Sequence, residues 1–315
     1  MKIGYALSSE EMGPTDMVRW GAEAEQAGFS GIAVSDHFHP WTDRQGQSPF
    51  VWNVLGALAH ATTRVGLATS VTCPTVRIHP VVCAQAAATT AKMAPGRFSF
   101  GVGSGEALNE HILGDRWPEA EVRLEMLREA VEVIRRLWTG ENVSHHGEHY
   151  TVENARLYTV PDEPPPIIVS GFGPKAVGLA AEIGDGYFGT SPDGDLLASY
   201  EDAGGKGPKL ALMKVCWGDD EQAARRLAHE LWPTTGVPGE LSQELPTPKH
   251  FEQVATLVTV DQVADSISCG PDPAVHLASV EKYRDAGYDE LFVQQIGPDQ
   301  DGFFRFWADE VVPRL

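Results

Sequence analysis

Short apolar runs alternate with amphipathic segments along nearly the whole chain, and this alternation restricts the possible folds more than any other feature. The run KIGYAL at residues 2–7 is followed by a segment with Pro14 and Asp16 in its first turn and Gly28 at its end, which predicts a strand and then a helix. We count about eight such pairs, with no break in composition between them. The pattern predicts one (β/α)8 barrel, a TIM barrel with insertions, as a single domain over residues 1–315.

A doubly wound Rossmann-like sheet is the competing fold. Its best support is GVGSGEALNE, where Gly101, Gly103 and Gly105 follow a predicted strand. That spacing is G-x-G-x-G and not the dinucleotide-binding G-x-G-x-x-G, and it follows the fourth strand instead of the first. The barrel is therefore favoured.

Two segments interrupt the alternation. Residues 143–160 (VSHHGEHYTVENARLYTV) predict a β-hairpin that turns at His146 and Gly147. Residues 233–255 are irregular and rich in Pro and Gly, and we expect them to lie over the barrel mouth, because loops of this length commonly act as lids or binding loops.

The acidic composition limits the kinds of partner that this protein can bind. The net charge of −20 over 315 residues, without a basic run, argues against nucleic acid. No apolar run is long enough for a membrane span, the N-terminus lacks the apolar core of a signal peptide, and the four cysteines form no C-x-x-C pair. We expect a cytoplasmic enzyme that acts on a small molecule and binds no metal.

Polar and aromatic side chains gather where the predicted strands end, which is where a barrel places its active site. VSDHFHPW supplies Asp36, His37 and Trp41 after the second strand, and GVGSGEALNE supplies Glu106 after the fourth. Each residue alone is explained by an ordinary polar turn. Their convergence on one rim favours an active site.

Two further motifs have open interpretations. SGFGPKA places Gly171 and Gly173 before Pro174 at a helix start, which fits either an anion site or a tight turn. HHGEHY at residues 145–150 looks like a metal cluster, but strand alternation sends neighbouring side chains to opposite faces, so we do not expect a metal there.

The runs VSDHFHPW, TSVTCPTVRIHP, GVGSGEALNE and GDGYFGTSP resemble the coenzyme F420-dependent glucose-6-phosphate dehydrogenase group of the bacterial luciferase-like superfamily. The similarity extends through nearly the whole chain. It implies a luciferase-like barrel, the deazaflavin F420 as cofactor, hydride transfer to or from a hydroxyl-bearing carbon, and a homodimer.

The resemblance also implies roles for individual residues. His37 corresponds to the active-site base, Glu106 to the carboxyl serving the reduced ring, and Trp41 to an indole beside ring and substrate. Ser70–Val71 corresponds to a non-prolyl cis peptide bond, and Thr190 to a substrate contact. The implied cofactor contacts are Asp36, Ser70, Val71, Cys73, Ser104, Gly105, Asn109, Phe172, Gly173, Lys175 and Ala176.

The chain departs from this group where the substrate phosphate would bind. Two lysines and an arginine of the group correspond to Asp193, Ser242 and Ser266, although Lys249 and His250 lie near the second position. A phosphate dianion needs charge-assisted donors, so we expect a non-phosphorylated substrate such as a sugar. Asp193, Asp195 and Glu201 suit an amino sugar, but a solvated acidic loop is the favoured interpretation.

Alternative functions remain at this stage. An FMN-dependent monooxygenase of the same superfamily is the first alternative, and a redox-neutral F420-dependent epimerase is the second. A non-enzymatic binding protein has no need for His37 and Glu106 together, so we rank it last.

Overall fold

Eight parallel strands close into a barrel in the computed structural model, which describes residues 1–315. The strands are β1 (Lys2–Leu7), β2 (Gly31–Val34), β3 (Gly66–Thr69), β4 (Phe98–Val102), β5 (Val143–His146), β6 (Thr151–Ala155), β7 (Ile167–Ser170), β8 (Gly186–Gly189), β9 (Lys209–Cys216), β10 (Ser268–Cys269) and β11 (Glu290–Gln295). The barrel runs β1-β2-β3-β4-β7-β8-β9-β11, and β11 pairs with β1 to close it. The closed ring confirms the (β/α)8 TIM barrel and rules out the open Rossmann-like sheet.

Helices surround the barrel and lie between its strands. They are α1 (Pro14–Gln26), α2 (Val51–Ala61), α3 (Pro80–Met93), α4 (Ala107–Glu110), α5 (Ala120–Leu137), α6 (Pro174–Ile183), α7 (Gly194–Asp202), α8 (Glu221–Leu231), α9 (Leu241–Glu244), α10 (Pro248–Ala255), α11 (Val260–Ala264), α12 (Pro273–Ala286) and α13 (Gln300–Phe306). Sequence signals set their ends. Pro14 starts α1, and Gly28 takes a φ of +92° just beyond it, a conformation that favours glycine.

The barrel interior has an apolar layer below a polar one. Seven buried side chains form the apolar layer: Ala6, Ala33, Ile168, Phe188, Leu210, Leu212 and Phe292. Successive strand residues alternate between faces, so the residue two positions further along each strand points inward again, nearer the C-terminal mouth. These positions include Ser35, Ser170, Thr190, Lys214 and Gln294, all of which line the cavity described below.

Outside the barrel, a cluster of 57 buried residues packs the strands against the surrounding helices. A separate cluster of ten lies beneath the long connection between β9 and β11, and it includes Trp232, Val258 and Ile267. Trp41 packs against this smaller cluster, so the connection is joined to the loop that follows β2.

The two interruptions of the pattern are now defined. β5 and β6 form the expected antiparallel hairpin, but His146 pairs with Thr151, so its turn comprises residues 147–150 and lies slightly beyond the expected one. Residues 233–255 are more regular than expected, because they contain a 3-10 turn (Pro233–Gly236), α9 and α10, with the Thr247 side chain capping α10. None of the helices combines the length and the apolar character that crossing a membrane would require.

Candidate active site

A cavity of about 1800 Å³ opens at the C-terminal end of the barrel. Its volume exceeds the few hundred to about 1000 Å³ of ordinary small-molecule sites, so it has room for two ligands. It brings together the rim residues expected from the sequence, with one exception: Asn109 does not line it. The lining members are Asp36, His37, Trp41, Ser70, Val71, Cys73, Ser104, Gly105, Glu106, Phe172, Gly173, Lys175, Ala176 and Thr190.

His37 lies at the centre of the polar contacts. Its Nδ1 atom is 3.1 Å from the carbonyl oxygen of His39, and its Nε2 atom is 3.4 Å from Glu10 Oε1 and 3.6 Å from Glu106 Oε1. A carbonyl oxygen can only accept, so Nδ1 carries a hydrogen. In the neutral ring Nε2 is therefore the free proton acceptor. The Trp41 ring lies 5.1 Å from the imidazole, between centroids.

Glu10 is a site residue that the sequence argument missed. It follows β1 and is only 3 % exposed, and its Oε2 accepts hydrogen bonds from Ser8 and Ser35 at 2.7 and 2.9 Å. Burial raises its pKa, but His37 and the two hydroxyls outweigh burial and hold the pKa below its ordinary value. Glu10 is thus an ionised carboxylate beside the imidazole. The signal was its position directly after a barrel strand.

Asn109 connects the loop after β2 to the loop after β4. Its Oδ1 accepts the backbone N–H groups of Phe38 and His39 at 2.8 and 2.9 Å, and its Nδ2 donates to Glu106. The expectation of a cofactor contact for Asn109 is therefore replaced by a positioning contact. The amide holds the His37 loop and the Glu106 side chain in one arrangement.

Asp36 takes part in a buried ion cluster behind the cavity wall. Its Oδ1 accepts from Arg77 at 2.8 Å and its Oδ2 from Thr72 at 2.8 Å. Arg77 also contacts Glu110, through its backbone N–H at 2.7 Å. Burial, opposed by Arg77, raises the pKa of Glu110 to about 7. Both oxygens of Asp36 are used within the protein, and Asp36 forms no pair with His37, as expected.

Close backbone packing shapes the wall beside Glu106. Gly105 has a φ of +79°, and a Cβ there would lie 2.5 Å from the Cys73 sulfur, so only glycine fits. Burial raises the pKa of the Cys73 thiol, which contacts Thr75 and is not a nucleophile. The Ser70–Val71 peptide bond is cis, which confirms that expectation. The buried Ser70 hydroxyl has no protein partner.

The first turn of α6 opens on the same cavity. Gly173 caps the helix, Pro174 occupies its first turn, and Phe172 is half exposed just before it. Lys175 contacts Glu121 across the mouth, and both side chains are exposed. The first N–H groups of a helix have no partner within it, so this turn offers donors to an anionic group.

Comparison with known proteins decides the family. Residues 1–290 match the luciferase-like monooxygenase family. The chain belongs to that family. It is 35% identical, over all of its length and 97% of the relative, to the F420-dependent glucose-6-phosphate dehydrogenase of Microbacterium testaceum. It is 36% identical to the enzyme of the same name from Segniliparus rotundus, over 98% of that protein. The resemblance stated from the sequence is confirmed.

One solved structure has nearly the same fold as this chain. It is an F420-dependent secondary alcohol dehydrogenase in complex with an F420-acetone adduct. It aligns with a TM-score of 0.92 and 31% identity, over 99% of this chain and 98% of that one.

This luciferase-like chain departs from the expected phosphate site in a specific way. Ser242 and Ser266 line the cavity, whereas Lys249 does not and is exposed. The alignment that places serines at these positions is therefore consistent with the structure. Asp193 does not line the cavity either, because its carboxylate caps α7 by accepting from the N–H groups of residues 195 and 196.

The acidic residues proposed to attract an amino sugar do not face the cavity. Asp193 caps α7, Glu201 binds the ammonium of Lys209, and Asp195 is exposed beyond the cap. The idea of a cationic substrate held by these residues is wrong, since the carboxylates are used elsewhere or face solvent.

The hairpin histidines contact separate carboxylates. His145 lies 2.9 Å from Glu129, and His146 lies 2.9 Å from Glu153 on the neighbouring strand. His149 lies 3.8 Å from Glu125. The pairs of His145 and His149 join the hairpin to α5, and the pair of His146 connects its two strands.

Proposed function

We propose that this chain is a coenzyme F420-dependent oxidoreductase that transfers a hydride between the cofactor and the carbinol carbon of a non-phosphorylated substrate. The main support is the position of His37 Nε2, which lies between two carboxylates and is free to accept a proton. The two relatives and the solved structure reported above are named as F420-dependent enzymes, which supports the cofactor.

The residues along one wall of the cavity fit a deazaflavin. Ser70 offers a buried hydroxyl without a partner, and the backbone of residues 103–105 lines the cavity beside it. The first turn of α6, with Phe172, Gly173, Lys175 and Ala176, would hold the anionic tail through its N–H groups. F420, when bound, accepts or releases a hydride and does not activate oxygen as flavins do.

His37 would take the hydroxyl proton of the substrate at Nε2. Its Nδ1–H donates to the His39 carbonyl, which holds the ring in the tautomer that leaves Nε2 free. The charged ring that results lies 3.4 Å from the buried Glu10 carboxylate, so the positive charge is stabilised where water is excluded. General-base assistance of this kind contributes roughly 10²–10⁴ in rate.

Glu106 and Trp41 would complete the reacting face. Glu106 is oriented by Asn109 and stays about a quarter exposed, so it can exchange a proton with the cavity. Trp41 is fixed edge-to-face on Phe251 of α10, at 5.0 Å between centroids. It therefore presents a rigid apolar wall to the substrate, next to His37.

The substrate is proposed to lack a phosphate, because the cavity has serines at two positions where the sugar-phosphate enzymes have cations. Ser242 and Ser266 can donate only neutral hydrogen bonds, which are weaker than the charge-assisted bonds a dianion needs. Thr190 remains as a polar substrate contact at the end of β8.

An anaerobic substrate screen tests this function. Purified protein, F420 and a panel of secondary alcohols, sugars and glucose 6-phosphate are mixed, and loss of the oxidised cofactor absorbance is followed. Reduction by a non-phosphorylated alcohol supports the proposal. FMN-dependent oxygen consumption, with no F420 chemistry in either direction, would favour the monooxygenase instead.

The resemblance also supports a cytoplasmic homodimer formed by one barrel domain per chain, and sedimentation equilibrium measures that state.

A further inference from the structure

The floor of the cavity contains a lysine that no protein group neutralises at contact distance. Lys214, on β9, points inward above Leu212 and lines the cavity, yet it forms no salt bridge and donates no hydrogen bond. Its ammonium lies 4.4 Å from the ring centre of Trp232. Lys214 is half-buried, and a lysine withdrawn from water is usually paired, so the absence of an ion pair points to a missing partner.

The nearest carboxylates are already engaged. Glu10 accepts from Ser8 and Ser35 and faces His37. Glu11 accepts from the Trp232 indole at 2.5 Å and from a backbone N–H at 2.9 Å. Burial lowers the pKa of Lys214, and the attraction of Glu10 and Glu11 only partly offsets it. The ammonium thus lies over Trp232, in a side chain that lines the cavity.

Gln294 supplies a second unpartnered group beside it. Gln294 pairs in register with Lys214 on the neighbouring strand β11, is 4 % exposed and lines the same cavity. Its amide makes no hydrogen bond within the protein, and its Nε2 is fully buried without a partner. Buried polar atoms are almost always satisfied, so an unsatisfied amide in a side chain that lines a cavity points to a ligand there.

The other cations of the cavity do not compete for this role. Arg123 and Arg225 are paired with Glu244 and Asp261, and Lys175 with Glu121. Lys282 is exposed at the rim. Lys214 is therefore the inward-facing cation without an ion pair.

We propose that Lys214 and Gln294 bind a carboxylate on the substrate, so that the enzyme acts on hydroxy acids or the corresponding keto acids. An ammonium and an amide N–H side by side match the two oxygens of a carboxylate, and one positive charge matches a monoanion. Lys214, Gln294 and His37 line the same cavity, so we infer that one small molecule contacts both the anchor and the base. This inference rests on the proposed function and specifies its substrate class.

The test compares a matched pair of ligands on the protein saturated with F420. Isothermal titration calorimetry measures the dissociation constants of 3-hydroxybutyrate and 3-hydroxybutyramide, which share one carbon skeleton and differ in that a neutral amide replaces the carboxylate. We expect the carboxylate to bind about tenfold more tightly, as a charge-assisted bond outweighs a neutral one by that order. Lys214→Met should abolish this preference, and Gln294→Leu should weaken it.

Lys249→Met is the matched control, because Lys249 is exposed outside the cavity and its loss should leave the preference intact. Equal affinity of the two ligands for the wild-type protein overturns the proposal, and so does a preference that survives in Lys214→Met. Absence of binding by either ligand also overturns it. If circular dichroism shows that Lys214→Met does not fold, the comparison of the two ligands on the wild-type protein and on Gln294→Leu still tests the carboxylate site.

Failure of the proposed function is recognised separately. If F420 does not bind, the oxidoreductase proposal fails, and the same two ligands are titrated against the protein without cofactor to test the carboxylate site by itself. If F420 binds and is reduced only by neutral alcohols, the function stands and the carboxylate site is rejected.

Discussion

His37 Nε2 lies 3.4 Å from the buried carboxylate of Glu10, while Nδ1 of the same ring lies 3.1 Å from the His39 carbonyl oxygen. The carbonyl holds one ring nitrogen as a donor and the carboxylate faces the other. A base arranged in this way has a defined tautomer and a counter-charge in place before any substrate binds.

His37→Ala should lower turnover by about 10²–10⁴ and leave the dissociation constant of F420 nearly unchanged, because the base is lost and the cofactor wall is kept. Steady-state assays and fluorescence titration measure the two quantities. His146→Ala, on the exposed hairpin, is the control and should behave as wild type. Wild-type turnover in His37→Ala would remove this histidine from catalysis.

Glu106→Gln should slow the redox step without loss of cofactor binding. The amide keeps the shape of the side chain but cannot transfer a proton, and its carbonyl oxygen can still accept from Asn109 Nδ2. Single-turnover absorbance measurements report that step directly. A rate equal to that of wild type would reduce Glu106 to a structural contact.

Asn109→Ala should destabilise the protein by about 2 kcal/mol, because the N–H groups of Phe38 and His39 lose their acceptor and Glu106 loses its donor. Urea unfolding gives the change in the free energy of unfolding. Activity should fall together with stability, since both catalytic loops lose their connection. A variant of unchanged stability and activity would refute the positioning role.

Glu110 makes stability depend on pH. Its pKa in the folded protein is raised from 4.5 to about 7, so between these values the folded state holds a proton that the unfolded chain has released. The free energy of unfolding should therefore fall as pH rises from 4.5 to 7. Unfolding curves at several pH values measure this slope, and Glu110→Gln should flatten it. An equal slope in the variant would assign the effect to another group.

Glucose 6-phosphate should reduce F420 poorly. Repulsion by Asp193 is not the cause, because this carboxylate caps α7; the missing cations at Ser242 and Ser266 are. Introducing Ser242→Lys and Ser266→Arg together should lower KM for glucose 6-phosphate by about tenfold or more, since two charge-assisted bonds are added. Efficient reduction by the wild-type protein would show that other groups bind the phosphate.

The apolar periodicity and the residues that start and end helices were sufficient to predict the barrel and most of the residues at its rim. Strand ends of a parallel barrel meet on one face, so His37, Trp41 and Glu106 could be brought together without coordinates. The resemblance added the cis bond at Ser70–Val71, which no local pattern predicts.

The direction in which a side chain points could not be predicted from the sequence, and part of the proposed function depends on that direction. Lys214 and Gln294 are polar residues within largely apolar strands. Only the barrel register shows that they share the inward face with Leu212 and Phe292. Asp193 looked like part of the rim but serves as a helix cap. A polar residue within a buried strand was the available signal for the first two.

Equilibrium titration of the purified protein with F420 and, in parallel, with FMN is the most direct test of whether F420 is the cofactor. Quenching of cofactor fluorescence gives both dissociation constants, and Ser70→Val, which fills the place of an unpartnered hydroxyl at the ring wall, should weaken the binding of F420. We expect saturable binding of F420 with a dissociation constant in the micromolar range or lower, and binding of FMN that is weaker by about a hundredfold or more. Tight FMN binding with no detectable affinity for F420 would contradict it.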